Sequence, residues 1–224
     1  MPHQPTVSRR DLHGTQRRRR VGVGYLTASA VVLVGVLVWA IFGLAGDPTL
    51  LPAPKSPDPA FNLTADSRAK VLAEMQARKE AAPAGMAENS ITIPAIAVKA
   101  TFTLPKDGNL PADPKVAARG PSGVSLNSPV GGAVVYGLNG TEKDPGALSN
   151  IYKAKPGMVV WTKEGSGNPK AWIVVEGSHA ATGAATVPMN GRTDPNELVV
   201  AVFGGGEKVS DVAEVTWLTA IPLR

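Results

Sequence analysis

The sequence predicts an all-β domain, a closed barrel or a sandwich, carried behind one membrane-spanning helix and a short stalk helix. Three observations lead there. From Ser90 onward, short runs rich in Val, Ile, Thr and aromatics alternate with clusters of Gly, Pro, Asn and Asp. Val21 to Gly46 holds no charged residue and is bounded by Arg20 and Asp47. Between these two regions, Thr64 to Ala82 is free of Gly and Pro and places apolar residues at helical spacing.

The 26 positions of the apolar stretch, at about 1.5 Å of rise each, make a helix of about 39 Å, enough to cross a hydrocarbon core of about 30 Å with some tilt. A cleavable signal peptide has an apolar core of only about 7 to 15 residues, so a retained anchor is expected. Gly22, Gly24, Gly35 and Gly43 are tolerated in a span because lipid leaves the backbone no partner outside its own helix. Trp39 and Phe42 stand near the outer end, where aromatic rings favour the interface.

Arg9, Arg10 and Arg17 to Arg20 precede the span against a single acid, Asp11. Only Asp47 and Lys55 are charged in the stretch from 47 to 57. Positive charge stays inside, which makes residues 1–20 a cytoplasmic tail, 21–46 the span, and everything beyond extracellular. The arginine run also fits a nucleic-acid patch, but its position directly against the span favours the topological reading, and no nucleic-acid partner is expected. Ser8-Arg9-Arg10-Asp11-Leu12 resembles a twin-arginine export signal, although four more arginines separate it from the apolar core. That route changes the exporter and not the destination.

The chain holds 23 Lys and Arg against 18 Asp and Glu, and the first twenty residues take six of the bases and one acid, which leaves 17 of each. The exported part is neutral and offers no argument for an anionic partner. Cysteine is absent, so the domain relies on packing without disulfides, and zinc and thiol-redox sites lose their usual ligands. No cofactor or metal is expected.

Residues 47–89 read as a stalk. Five prolines between Asp47 and Ala60 hold the chain extended. The helix that follows has Thr64, Asp66 and Ser67 as candidate N-caps, a stripe of Val71, Leu72 and Met75, a Glu74–Arg78 pair at i,i+4, and Pro83 beyond its end. Its stripe is narrow, which suits packing on a neighbouring domain.

In the domain at 90–224, strands are expected at Ile91 to Ile93, Val98 to Leu104, Gly132 to Tyr136, Met158 to Lys163, Ala171 to Val175, Glu197 to Phe203 and Glu214 to Leu223. Gly165 to Pro169 reads as a hairpin, and Asn139-Gly140 and Asn190-Gly191 as tight turns. Pro105 to Val130 reads as one long connection, of the kind that often forms a functional surface.

Four pieces in order carry a family resemblance: Ile91-Thr-Ile-Pro-Ala-Ile-Ala-Val98, Lys106-Asp-Gly-Asn-Leu-Pro-Ala-Asp-Pro-Lys-Val116, Gly132-Ala-Val-Val-Tyr-Gly137 and Leu198-Val-Val-Ala-Val-Phe-Gly-Gly205. Together they resemble the sortase family, most of all class F sortase. The resemblance implies an eight-stranded closed β-barrel on an N-terminal membrane anchor. It also implies an activity, the cleavage of a sorting signal in another secreted protein through a cysteine thioacyl intermediate, with transfer to a cell-wall amine in transpeptidase members.

This sequence departs from the family where the chemistry resides. Leu138 stands where the resemblance calls for histidine, and Phe203 where it calls for the nucleophilic cysteine. A phenyl ring neither attacks a carbonyl nor holds an acyl group. Lys208 is the base nearest the expected arginine, a point charge without the planar fork. Elsewhere, His179 within Gly177 to Gly183 reads as a surface loop residue and a weak candidate base for a Ser or Thr nucleophile. Glu142, Asp144, Asp107 and Asp113 lie in turn-like segments, where acids are solvated or cap locally, which disfavours glycosidase chemistry. The triple glycine at 204–206 lacks the ending of a phosphate loop, and Asn62-Leu-Thr and Asn139-Gly-Thr have the form of glycosylation sequons. The expectation is a single-pass cell-membrane protein with a non-catalytic, sortase-like external barrel that binds or positions a secreted protein or peptide tail. The alternative is a cysteine-independent peptidase or transpeptidase on the same scaffold.

Overall fold

A computed structural model describes residues 51–103, 110–120, 125–126, 133–182, 196–206 and 212–223. The tail at 1–20, the span at 21–46, Asp107, Asn190-Gly191 and Lys208 lie outside the described residues. The chain divides into two compact units, Met1–Pro48 and Thr49–Arg224. Among the described residues no helix is long and apolar enough to cross a membrane.

Among the described residues nine strands run in chain order: β1 (Phe61–Asn62), β2 (Ser90–Ile93), β3 (Val98–Thr103), β4 (Ala117–Arg119), β5 (Ala133–Leu138), β6 (Val159–Lys163), β7 (Lys170–Ala181), β8 (Leu198–Gly204) and β9 (Glu214–Pro222). Neighbours follow the order β7-β6-β2-β3-β4-β5-β8-β9, and β9 pairs back onto β7. Eight strands therefore close a ring, as expected, and leave no open edge along most of it. Two of the pairings are parallel, β3 with β4 and β5 with β8. The ninth strand, β1, takes up the edge of β7 at Glu176 and Gly177, beyond the stretch Lys170 to Ile173 that pairs with β6. Gly177 is needed there, because a Cβ would come within 2.6 Å of the Phe61 ring.

Alternation along the strands separates two apolar faces. Val98, Ala100, Phe102, Ala133, Val135, Leu198, Val200, Val202, Leu218 and Ala220 fill the interior with Trp172 and Val174. Val134, Tyr136, Leu138, Val199, Ala201, Phe203 and Val215 form a second buried cluster on the outer face of β4, β5, β8 and β9. A third cluster joins Val159, Trp161, Ala171 and Ile173, on the outside of β6 and β7, to the helix α1 (Ala65–Arg78). The helix stripe read from sequence packs there: Met75 is buried, with Val71 and Leu72 beside it. Thr64 is its N-cap, accepting from the Ser67 N–H at 3.3 Å, and the Glu74–Arg78 pair closes at 2.5 Å. The helix stops at Lys79, in the left-handed region (φ 47°), short of the Ala82 expected.

From Leu51 the residues read as a stalk lie in the compact unit that starts at Thr49, and carbonyls that their prolines leave free to accept bond to the barrel. Two expectations are corrected. The connection at 105–130 contains β4, whose Ala117 and Ala118 pair with Phe102 and Thr103 of β3 and whose Ala118 and Arg119 pair with β5. The loop expected at 177–183 is strand as far as Ala181, because β9 is long enough to pair with β7 along its whole length.

Candidate functional site

β5 and β8 run parallel in a register that sets Ala133 against Leu198 and ends with Leu138 against Phe203. The two positions singled out from sequence are thus neighbours at the ends of adjacent strands. Both are enclosed: Leu138 is 1% and Phe203 7% exposed. The Phe203 ring meets Tyr136 edge-to-face at 6.4 Å and 89°, a geometry in which the ring's positive edge faces the other's π cloud. Burial pushes the Tyr136 phenol up from its ordinary value of 10.0. Leu51, Leu110, Val212 and Trp217 complete the apolar surround. Leu138 and Phe203 are both hydrocarbon side chains, which supply no acid–base or nucleophilic chemistry.

The residues Leu51 to Lys55 cross these strand ends as a strap. The Leu51 N–H donates to the Gly206 carbonyl at 2.9 Å, and the Gly205 N–H donates to the Leu51 carbonyl at 2.8 Å. Asn139 Nδ2 donates to the carbonyls of Pro52 and Ala53, both at 3.2 Å. Thr216 Oγ1 donates to the Lys55 carbonyl at 2.8 Å. This closeness explains Gly204, where a Cβ would lie 2.2 Å from the Pro52 carbonyl oxygen, and the next residue, Gly205, sits at φ +73°. Beside the strap lies a cavity of about 380 Å³, lined by Pro52, Ala53, Lys55, Asn139, Glu142 and Tyr152 among others. That volume is in the range of small-ligand pockets.

His179 is not where the sequence placed it. It stands on β7 opposite Thr216 of β9, and Thr216 in turn stands opposite Val202 of β8, an interior residue. Directly opposed residues share a face, so His179 lies on the inward side and Phe203 on the outward side, and the structure does not bring them together. It brings His179 to two other groups instead. Its Nδ1 lies 2.8 Å from Thr216 Oγ1, and its Nε2 lies 3.2 Å from Glu214 Oε2. Glu214 and Thr216, two apart on β9, point to the same side.

The remaining candidates are local. Asp113 Oδ1 accepts the Lys115 N–H at 2.8 Å, and Asp144 pairs with Lys115 Nζ at 2.5 Å. Among the described residues no group of three or more His, Asp or Glu is placed to hold a metal ion. The sequon asparagines have partners of their own: Asn139 holds the strap, and Asn62 Oδ1 accepts from Arg68 Nη2 at 3.1 Å. Sequence reasoning missed the strap, Asn139, Glu214 and Thr216. One signal was present, the triple glycine, whose use is the close approach of another backbone.

No family model matches the sequence, and no curated protein matches it. Among solved structures the chain is similar to sortase A of Listeria monocytogenes, with 13% identity over 60% of this chain and 86% of that one and a TM-score of 0.45. It is similar to the sortase D5 transpeptidase of Clostridium perfringens at 12% identity, over 68% and 89% of the two chains, with a TM-score of 0.46. For a lid mutant of sortase A from Corynebacterium diphtheriae the values are 10%, 74%, 85% and 0.47.

Proposed function

We propose that this chain is a membrane-anchored, sortase-like protein of the cell envelope that performs no thioacyl chemistry. In this reading residues 21–46 span the membrane, the tail at 1–20 is cytoplasmic, and the external barrel holds a secreted protein or peptide tail at the ends of β5 and β8. The class F resemblance of the four sequence pieces supplies the family. One observation carries the loss of catalysis: Leu138 and Phe203 are register partners, enclosed with Tyr136 in hydrocarbon. Acyl transfer needs a group that can attack and a group that can protonate the departing amine, and neither side chain does either. The test is mass spectrometry of the unmodified protein incubated with a pool of sorting-signal peptides. The expected result is reversible association with no adduct and no cleavage. A covalent acyl adduct overturns it.

A second reading, a cysteine-independent peptidase or transpeptidase, draws on the hydroxyl–imidazole–carboxylate row of Thr216, His179 and Glu214. Such a row is the minimum of a nucleophile, a base and an orienting acid. Two features count against it. Thr216 is only 1% exposed, and its hydroxyl proton already goes to the Lys55 carbonyl, so the hydroxyl does not donate to the imidazole as an activated nucleophile would. An acyl group mapped to Thr216 in the same assay would establish this reading in place of the first.

A further inference from the structure

The strap closes over the very strand ends proposed to hold a partner, and the bond at its Lys55 end depends on a proton. A threonine hydroxyl has one hydrogen. In Thr216 it points at the Lys55 carbonyl, 2.8 Å away, which can only accept. The hydroxyl oxygen must then accept from His179 Nδ1, also at 2.8 Å. The other ring nitrogen, Nε2, faces the Glu214 carboxylate at 3.2 Å. All three contacts are satisfied together only when both ring nitrogens carry hydrogen, that is, by an imidazolium.

When one proton leaves to solvent, the ring must give up one partner. The charge-assisted bond to Glu214 is the stronger, so the remaining hydrogen stays on Nε2 and Nδ1 becomes an acceptor. The Thr216 hydroxyl then turns to Nδ1, and the Lys55 carbonyl loses its donor. We infer that Glu214, His179 and Thr216 form a protonation-controlled catch that holds the strap 51–55 shut over the partner site and releases it as pH rises. The inference rests on reading the covered groove as that site.

The sign follows from the proton count. The closed form binds the extra proton, so mass action favours closure at lower pH and release at higher pH. Among the described residues, Glu214 and Thr216 of β9 contact the ring, and along β7 the flanking Gly177, Ser178, Ala180 and Ala181 are uncharged. The Lys55 carbonyl of the strap reaches it through Thr216, while the Lys55 ammonium lies over the Tyr152 ring, 5.4 Å from its centroid. The His179 side chain is 22% exposed, so water can take up the proton.

The absence of cysteine makes a single-site probe unambiguous. An Ala53→Cys variant of the full chain in detergent carries a nitroxide spin label on an exposed strap position, and its mobility is read at about pH 5.5 and about pH 8, the two sides of the histidine range. The label is expected to be immobilised at the lower pH. The ratio of mobile to immobilised label should rise about fivefold at the higher pH, the effect of losing one ordinary hydrogen bond. His179→Gln should abolish the pH dependence, and Thr216→Val should leave the label mobile at both values. Identical spectra at the two pH values, or a pH effect that survives His179→Gln, overturn the catch. This readout needs neither a partner nor any chemistry, so its failure leaves the binding reading standing, whereas an acyl adduct away from Thr216 in the peptide assay removes that reading and leaves the pH response of the strap in place.

Discussion

Replacing Phe203 by alanine tests whether its ring is enclosed by hydrocarbon at the ends of β5 and β8. A buried Phe→Ala change costs about 3 to 5 kcal/mol, part transfer of the ring and part the cavity left behind. Two features of this position set the value within that range. The ring is only 7% exposed and is fixed edge-on against Tyr136, so the aromatic pair adds its own loss of about 0.5 to 1.5 kcal/mol. Against that, one wall of its enclosure is Leu51, on a strap held by a handful of hydrogen bonds, and this wall can move in to fill the space. The expected cost is therefore at the lower end, about 3 kcal/mol. For a unit of this size, about 2 to 4 °C of melting temperature accompany each kcal/mol, so Tm should fall by about 6 to 12 °C. Urea unfolding of the unit Thr49–Arg224, followed by tryptophan fluorescence, measures the cost directly, with Phe203→Leu, which keeps most of the apolar volume, as a control that should cost less than the alanine variant. A cost below about 1 kcal/mol for the alanine variant would refute the enclosure and make the ring a surface on which a partner docks.

Phe203→Cys places the chain's only thiol in that enclosure, where burial raises a cysteine above its ordinary value of about 8.5; alkylation should be slow at neutral pH, and adding Leu138→His at the paired position should speed it, as a pH–rate profile would record. Equal rates for the single and double variants would show that the two positions do not meet. The Tyr136 phenol, pushed above its unfolded value by burial, contributes stability that is intact below about pH 10 and is lost as pH rises through its folded value, because the unfolded chain gives up that proton first. Urea midpoints measured between about pH 9 and 12 should therefore fall more steeply for the parent than for Tyr136→Phe, and parallel curves would contradict it. Protease added to intact, wall-stripped cells should remove the barrel and spare residues 1–20; a protected barrel would reverse the proposed topology.

The sequence showed the barrel best where side chains alone define a strand. Val159 to Lys163 and Leu198 to Gly204 are rich in β-branched residues that suit a pleated, half-buried surface, and both were expected to within a residue or two. β4 was missed because Ala117-Ala118-Arg119 has no β preference and exists only through its two neighbours. The far half of β7 was missed for the same reason: Gly177, Ser178, His179 and the two alanines are weak strand formers held straight by β9. Leu138 lies two residues past the strand end expected at Tyr136, and its pairing with Phe203 comes from the register of β5 with β8, which local pattern does not encode. The strap was not legible, since its attachment runs through backbone carbonyls that any residue would present, and neither periodicity nor residue type marks a docked carbonyl. His179 acquired its role from pairing register alone, a long-range property that local pattern does not encode.

The strap also decides how the barrel responds to mechanical load. Tension entering through residues ahead of Leu51 meets the paired bonds to Gly205 and Gly206 first, then those from Asn139, and then the one from Thr216. Bonds loaded one after another yield at far lower force than bonds that share a load, so the strap peels. The peeling stops at β1, where Phe61 and Asn62 are laddered to β7 and the Phe61 ring is seated over Gly177. The stretch from Leu51 to Ala60 is thus a fuse with a contour of up to about 35 Å, at about 3.5 Å per extended residue. A modest pull spends that length and uncovers the strand ends before any strand of the closed ring is disturbed.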